Sequence, residues 1–205
     1  IRVAQESRGL GDVYKRQTTS DHLPYEEFTR LLDCLHKDGD YRWEMYARLS
    51  FCTACRASDT LNFRWQDILG VSSVTITEQK TKKTRKIPFN PSVQKSFYDL
   101  WQLLGRPDKK DYIMPSPNGD KPMTIQNVNM KLKEFKCRYR LHIENFSTHT
   151  FRKTFGRYVY DTNNHSAESL ILLNKILNHS SIAVTKTYIG ITQEEVAGIY
   201  ASINL

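Results

Sequence analysis

The sequence predicts one mainly helical domain that carries a small antiparallel β-sheet. Segments with apolar residues at helical spacing make up most of the chain from residue 18 onward. One stretch, 72–89, instead places β-branched runs on both sides of a polar, basic turn, which is typical of a hairpin. At 205 residues the chain is long enough to bury a core without disulfides, so we expect a single α+β domain.

The predicted elements follow in order. The first helix starts after Leu23-Pro24, with proline and two acids at its N-terminal end, where each is favourable. The hairpin pairs SSVTIT with KIPF across the tip QKTKKTR. The helices are expected at 25–36, 41–54, 57–63, 91–104, 124–139, 149–162, 166–177, 182–188 and 192–203.

The ends of the domain can also be predicted. Residues 1–17 have neither helical nor strand periodicity, and GDVYKRQ resembles a translated adapter sequence more than an evolved element. We therefore interpret 1–17 as a non-native or disordered leader and place the domain at 18–205.

The charge favours a polyanionic partner. Lysine and arginine number 30 against 22 acids, which gives a net charge of +8. No stretch reaches the roughly 18 apolar residues of a membrane span, and no secretory signal is present, so we expect a soluble, cytoplasmic protein. Cys52 and Cys55 form a C-x-x-C without a second pair, which favours buried packing residues over a metal or redox site. We expect no cofactor and no metal.

One run near the C-terminus indicates chemistry. His149 and Arg152 lie three residues apart and share a helix face, and Tyr188 follows His179 by nine residues. Cations, imidazoles and a phenol together suit attack by tyrosine on a phosphodiester, whose transition state is an anion that needs fixed positive partners.

Two further residues would complete such a site. Arg56 lies at a predicted helix end and would supply a second guanidinium for the phosphate. Lys80, in the hairpin tip, would protonate the departing oxygen, although Lys82 or Lys83 could replace it. Each candidate also has a structural interpretation. The alternatives are helix capping for Arg56 and His179, a structural histidine for His149, a core aromatic for Tyr188 and a solvated basic turn for the lysines.

The motifs together resemble those of the tyrosine recombinases, the integrase family of phages and mobile elements. The matching boxes are TACRASDTLNFRWQDI, QKTKKTRKIP, HTFR, LNHSS and TKTY, and they lie in the family's order within residues 20–205. Two positions differ from the family pattern, since Asn178 stands for the usual glycine and Ala54-Cys55 for the usual glycine-leucine.

The resemblance implies the DNA breaking-rejoining fold of the family's catalytic domain and assigns roles by position. The catalytic set would be Arg56, Lys80, His149, Arg152, His179 and Tyr188, with Asp59 supporting Arg56. The expected reaction is site-specific DNA recombination through a 3′-phosphotyrosyl link, without ATP. Further DNA-phosphate contacts are expected at Lys82, Lys83, Arg85, Lys153 and Lys186.

The resemblance also implies partners and alternatives. Double-stranded DNA would be bound by a tetramer of chains that are monomers in solution, and the helix at 192–203 would dock on a neighbouring protomer or on its own domain. The family's N-terminal core-binding domain has no counterpart here, so we expect a fragment of a longer protein or an isolated catalytic domain. A type IB topoisomerase and a non-catalytic DNA-binding module remain alternatives.

Overall fold

The computed structural model describes residues 20–191, in which most elements are helices and two strands form one antiparallel sheet. The leader predicted at 1–17 and the helix predicted at 192–203 lie outside the described residues. The described elements are, in order, α1 (Tyr25–Lys37), α2 (Tyr41–Thr53), α3 (Ala57–Leu61), β1 (Ser73–Thr77), β2 (Thr84–Pro88), α4 (Pro91–Leu103), α5 (Ile125–Arg138), α6 (Thr150–Thr162), α7 (Ala167–Leu177) and α8 (Ile182–Ile189). A single 3₁₀ turn at Trp65–Asp67 follows α3.

The predicted fold class, mainly α with a small antiparallel sheet, is confirmed. The differences lie at helix ends. The third helix stops at Leu61 rather than at residue 63. The second stops at Thr53 because Ala54 turns into the left-handed region, with φ of 48°. That turn brings the next residues, Cys55 and Arg56, out of the helix and toward the hairpin.

Four helices start at side-chain caps that the sequence supplies. Asn90, Thr124, Ser166 and Ser181 each accept a hydrogen bond from the backbone N–H three residues further on. Such a cap satisfies an N–H that the helix itself leaves without a partner. The caps at Ser166 and Ser181 fix the starts of α7 and α8, the two helices that flank the candidate site.

The hairpin pairs β1 with β2 in antiparallel register. Val74 lies opposite Ile87, and both side chains are buried against the core. Thr77 and Thr84 end the pairing, with their hydroxyls 2.9 Å apart. Lys80, Lys82 and Lys83 therefore lie in the turn beyond this pair, whereas Arg85 and Lys86 lie on β2.

Two apolar clusters hold the helices together. The larger one joins α1, α2, α4 and α5 and includes Phe151 of α6. The smaller one consists of Ala54, Leu170, Leu173, Leu177 and Ile189, and Tyr188 packs against it. Because this second cluster lies between α6, α7 and α8, it sets the position of α8 and of the tyrosine that α8 carries. No helix within residues 20–191 is long and apolar enough to cross a membrane.

A close helix contact gives a test of this arrangement. A Cβ added at Gly156 of α6 would lie 2.7 Å from Cγ2 of Ile189, a fully buried β-branched side chain. Alanine is the better helix former by about 1 kcal/mol, but overpacking costs about 1–3 kcal/mol. We therefore expect Gly156→Ala to lower the free energy of unfolding in urea. Gln126→Ala, at an exposed position of α5, should leave it nearly unchanged, and a Gly156→Ala variant as stable as wild type would contradict the packing.

Candidate active site

The guanidinium of Arg152 forms the buried centre of the site. Arg152 is 2% exposed, and its two terminal nitrogens donate to the carbonyl oxygens of Ala54, at 2.7 Å, and Leu177, at 2.5 Å. These carbonyls lie at the C-terminal ends of α2 and α7, which carry the negative end of the helix dipole. Desolvation lowers the pKa of Arg152, but an arginine keeps its charge in proteins. Arg152 thus places a permanent positive charge between the ends of α2 and α7 and holds both ends in position.

Arg56 lies across the site, at the N-cap of α3. Its Nη1 donates to Oε2 of Glu78 at 2.5 Å, and its side chain keeps 17% of its surface exposed. Glu78 immediately follows β1 and is completely buried. One side of the Arg56 guanidinium is therefore held by a carboxylate while the remainder can meet an anion from solvent.

Lys80 lies exposed in the hairpin tip, as predicted. The tip is closed by the N–H of Glu78, which donates to the carbonyl of Lys83, and by the N–H of Lys82, which donates to the carbonyl of Glu78. Lys82 adopts a positive φ of 58° in this turn. The charge of Lys80 contributes to lowering the pKa of His149, so the tip lies within electrostatic range of the site.

The surroundings of both predicted histidines lower their pKa values and so favour the neutral imidazole at neutral pH. Desolvation, followed by the positive charges of Arg152 and Arg56, lowers the pKa of His179 to about 4. Desolvation and then the charges of Arg152 and Lys153 lower the pKa of His149, which is the N-cap of α6. A neutral imidazole can both donate a hydrogen bond and accept a proton, so either ring can exchange a proton with a reacting group.

Tyr188 of α8 has its ring among these cations. The ring centroid is 4.8 Å from that of His179, 5.1 Å from Nζ of Lys153 and 5.9 Å from Cζ of Arg152. Its hydroxyl is buried and has no hydrogen-bond partner among the described residues. Burial raises the pKa of Tyr188, and the charges of Arg152 and Arg56 oppose that rise. The phenol must therefore become accessible before it can react with a large substrate.

The five predicted phosphate contacts divide into two groups. Lys82 and Lys186 are exposed. The others already hold protein atoms: Lys83 donates to Oδ1 of Asn178, Arg85 donates to the carbonyls of Thr53 and Ala54, and Lys153 donates to the carbonyl of Ser20.

Sequence reasoning missed Glu78. We expected Asp59 to support Arg56, but the Asp59 carboxylate accepts from the backbone N–H of Gln79 and so anchors the start of the hairpin tip. The acid that contacts Arg56 is Glu78, twenty-two residues away in sequence. In the sequence, Glu78 is a single acidic residue beside a basic turn. That pattern does not show that its side chain folds beneath the hairpin and contacts Arg56.

The arrangement suits one kind of chemistry. Fixed guanidinium charges, imidazoles, an exposed lysine and a phenol lie in one region, and these groups are the ones that phosphoryl transfer to a tyrosine requires. Within residues 20–191, no three His, Cys, Asp or Glu side chains are grouped so as to hold a metal ion. Cys55 is buried and Cys52 partly buried, and neither is in a disulfide.

Comparison with known proteins gives the class. A profile of the phage integrase family matches residues 22–195. The probable integrase/recombinase YoeC of Bacillus subtilis (strain 168) is 33% identical over 148 residues, which cover 72% of this chain and 77% of YoeC.

Solved structures share the fold. The XerH site-specific recombinase, solved with its palindromic difH substrate, aligns with a TM-score of 0.68 at 18% identity, over 90% of this chain and 53% of that chain. The catalytic domain of bacteriophage HP1 integrase aligns with a TM-score of 0.53 at 18% identity, over 89% of this chain and 95% of that domain. This chain thus spans about half of the XerH chain and nearly all of the HP1 domain.

The fold and the site together define the class of the tyrosine recombinases. The chain belongs to the phage integrase family, and the expectation drawn from its five sequence boxes is confirmed at that level.

The histidine environment predicts a pH dependence. Because the pKa of His179 is about 4 in the folded protein and about 6.5 ordinarily, the unfolded chain binds a proton at this residue between those values and the folded chain does not. The free energy of unfolding should therefore fall as the pH decreases from 6.5 to 4.

His179→Gln should remove part of that fall, which urea denaturation at a series of pH values would detect. His142→Gln, at an exposed position, serves as the control. An identical pH dependence in wild type and His179→Gln would show that the His179 ring is not desolvated as described.

Proposed function

We propose that this chain catalyses site-specific DNA strand exchange with Tyr188 as the nucleophile. The observation that carries the proposal is the convergence of the Tyr188 ring, the His179 ring and the Arg152 guanidinium, with Arg56 near enough to influence the pKa of both Tyr188 and His179. These residues come from four separate segments of the chain, and the fold brings them to one place.

The two arginines take different parts in this proposal. The part-exposed guanidinium of Arg56 binds a non-bridging oxygen of the scissile phosphate, where charge grows in the transition state. Arg152 supplies positive charge beneath the phosphate. Its terminal nitrogens donate to two backbone carbonyls and so keep the ends of α2 and α7 in place. His149 donates to the second non-bridging oxygen.

Two further residues, His179 and Lys80, carry out the proton transfers. As the phenol oxygen of Tyr188 bonds to phosphorus, its proton passes to the neutral ring of His179. The bond from phosphorus to the 5′-oxygen breaks, and Lys80 donates a proton to that oxygen. In the second step, a 5′-hydroxyl of a partner strand gives its proton to the neutral amine of Lys80 and attacks the phosphotyrosyl link. The protonated ring of His179 returns its proton to the departing Tyr188 oxygen, so both residues regain their starting states. One phosphodiester replaces another, so the cycle needs no ATP.

The partner follows from the same chemistry. The net charge of +8 and the exposed lysines at the hairpin tip suit double-stranded DNA. The XerH recombinase, which shares the fold, was solved with a palindromic difH substrate. Strand exchange between two duplexes requires four active sites, so we propose a tetramer on DNA, formed from monomers by docking of the 192–203 segment on a neighbour. The reaction takes place in the cytoplasm, where the DNA of a bacterium, phage or mobile element lies.

The nucleophile can be tested with suicide substrates. A library of nicked duplexes of random sequence lets the short fragment beyond the nick diffuse away and traps a covalent protein–DNA complex on a denaturing gel. Wild type should give such a band and Tyr188→Phe none, because phenylalanine lacks the attacking oxygen.

Tyr160→Phe, on α6, is the matched control and should form the band. A band of wild-type intensity from Tyr188→Phe would refute the assignment. Relaxation of supercoiled plasmid without strand exchange would instead indicate topoisomerase activity.

The proposed general acid can be separated from its neighbours by changing the leaving group. Lys80→Ala should slow cleavage by about 100-fold or more, since general acids contribute about 10²–10⁴. A duplex with sulfur in place of the bridging 5′-oxygen should restore the rate, because a thiolate, with a thiol pKa of about 8.5, leaves without a proton.

Lys82→Ala and Lys83→Ala should cleave the ordinary substrate at rates closer to wild type and gain little from sulfur. If one of them is the variant that sulfur rescues, the acid is that lysine and not Lys80.

A further inference from the structure

A completely buried carboxylate lies in the middle of this cationic site, and the proposed reaction does not use it. Glu78 is 0% exposed. Its Oε2 accepts hydrogen bonds from Nη1 of Arg56 at 2.5 Å, Oγ1 of Thr81 at 2.6 Å and Nδ2 of Asn178 at 2.8 Å. Its Oε1 lies 3.5 Å from Nε of Arg85.

These contacts keep the carboxylate charged. Burial by itself raises the pKa of Glu78, but the hydrogen bonds from Thr81, Asn178 and Arg56 outweigh that effect and lower the pKa to about 2. Removing one partner of such a group leaves the others buried without compensation, so the contacts act as one unit. Glu78 therefore carries a negative charge at neutral pH.

The contacts of Glu78 join three segments that carry proposed catalytic residues. Through its side chain it holds Arg56, at the start of α3. Through its backbone it closes the turn that presents Lys80, since its N–H and carbonyl bond to Lys83 and Lys82. Through Asn178 it reaches the loop that leads to His179. The Glu78 carboxylate is thus hydrogen-bonded to all three segments, through Arg56, Thr81 and Asn178.

Asn178 makes this link possible. It ends α7 in the left-handed region, with φ of 52°, a conformation that glycine and asparagine adopt most readily. A glycine would serve the backbone equally well but would have no side chain. The Asn178 amide donates to Glu78 and to Oγ1 of Thr81, and its oxygen accepts from Nζ of Lys83. The residue that departs from the family pattern thus connects the loop to the hairpin tip.

We infer that Glu78, acting through Asn178 and Arg56, is a positioning residue that holds the Lys80 hairpin tip in register with the loop before α8. The inference rests on the proposed function for its catalytic consequence, but the coupling between the two segments is a property of the fold. The carboxylate does not stand in for the scissile phosphate, because it is fully buried whereas Arg56 retains an exposed surface on which a phosphate can bind.

The first test measures the coupling without any reaction. Hydrogen exchange is followed by mass spectrometry for wild type, Glu78→Gln and Asn178→Gly. Both variants should exchange faster at two separate segments, 79–83 and 178–181, while the core helices keep their protection. Asp99→Asn removes an exposed ion pair with Lys95 on α4 and should leave both segments unchanged. Unchanged exchange at 79–83 in Asn178→Gly would overturn the inference.

The second test measures the catalytic consequence. Single-turnover cleavage of a nicked duplex, at saturating DNA, should be about 100-fold slower in Glu78→Gln, the scale expected when reacting groups are misplaced by about 1 Å. DNA affinity, measured separately by fluorescence anisotropy, should change by less than about 3-fold, since no phosphate contact is removed. A variant that no longer folds would instead lose both cleavage and DNA binding.

The outcomes separate the two proposals. Tighter DNA binding with faster cleavage in Glu78→Gln would mean that the carboxylate competes with the phosphate, and this result overturns the positioning role. Cleavage at the wild-type rate would overturn it too. If wild type itself forms no covalent complex, the proposed function fails, and the exchange experiment still decides whether Glu78 couples the two segments. Should Glu78→Gln not fold, Asn178→Gly gives both readouts.

Discussion

The site depends on the burial of one guanidinium. Arg152 lies inside the protein because the carbonyls of Ala54 and Leu177 converge on it from the ends of α2 and α7. A buried charge without such partners would cost several kcal/mol. Because these two carbonyls accept from Arg152, the end of α2, which leads to Arg56, and the end of α7, which leads to His179, are both joined to α6. The Tyr188 ring then packs beside this charge, so the geometry around the proposed nucleophile follows from a single set of contacts.

Arg56 and Arg85 lie near Arg152, so their positive charges repel one another. The structure offsets this repulsion in two ways. Glu78 supplies one negative charge between Arg56 and Arg85. The two histidines stay neutral, because desolvation and the neighbouring arginines lower their pKa values. In the proposed reaction, these fixed charges would bind the phosphate without rearrangement, which reduces the reorganisation that the reaction requires. Because the hydroxyl of Tyr188 is buried, exposure of the proposed nucleophile would be a separate step.

Much of the fold could be predicted from the sequence, because helical periodicity and β-branched runs on both sides of a polar turn are local signals. They located α1, α4 and α5 to within about a residue or two, and the order of the five boxes indicated the family. Glu78 could not be predicted, since its role depends on the side chain folding beneath the hairpin to reach Arg56. The structural roles of Arg85 and Lys153 could not be predicted either. Both side chains donate hydrogen bonds to backbone carbonyls, in addition to any contact with DNA. Asp59 was expected beside Arg56 and instead anchors the backbone of Gln79, a distinction that only tertiary packing decides.

In the proposed reaction, this cluster directs the phenol of Tyr188 to phosphorus. Protease digestion and mass spectrometry of the covalent complex formed on nicked duplexes would identify the residue that is linked to DNA. We expect a single nucleotide-bearing peptide, with the modification on Tyr188. An adduct on any other residue would contradict it.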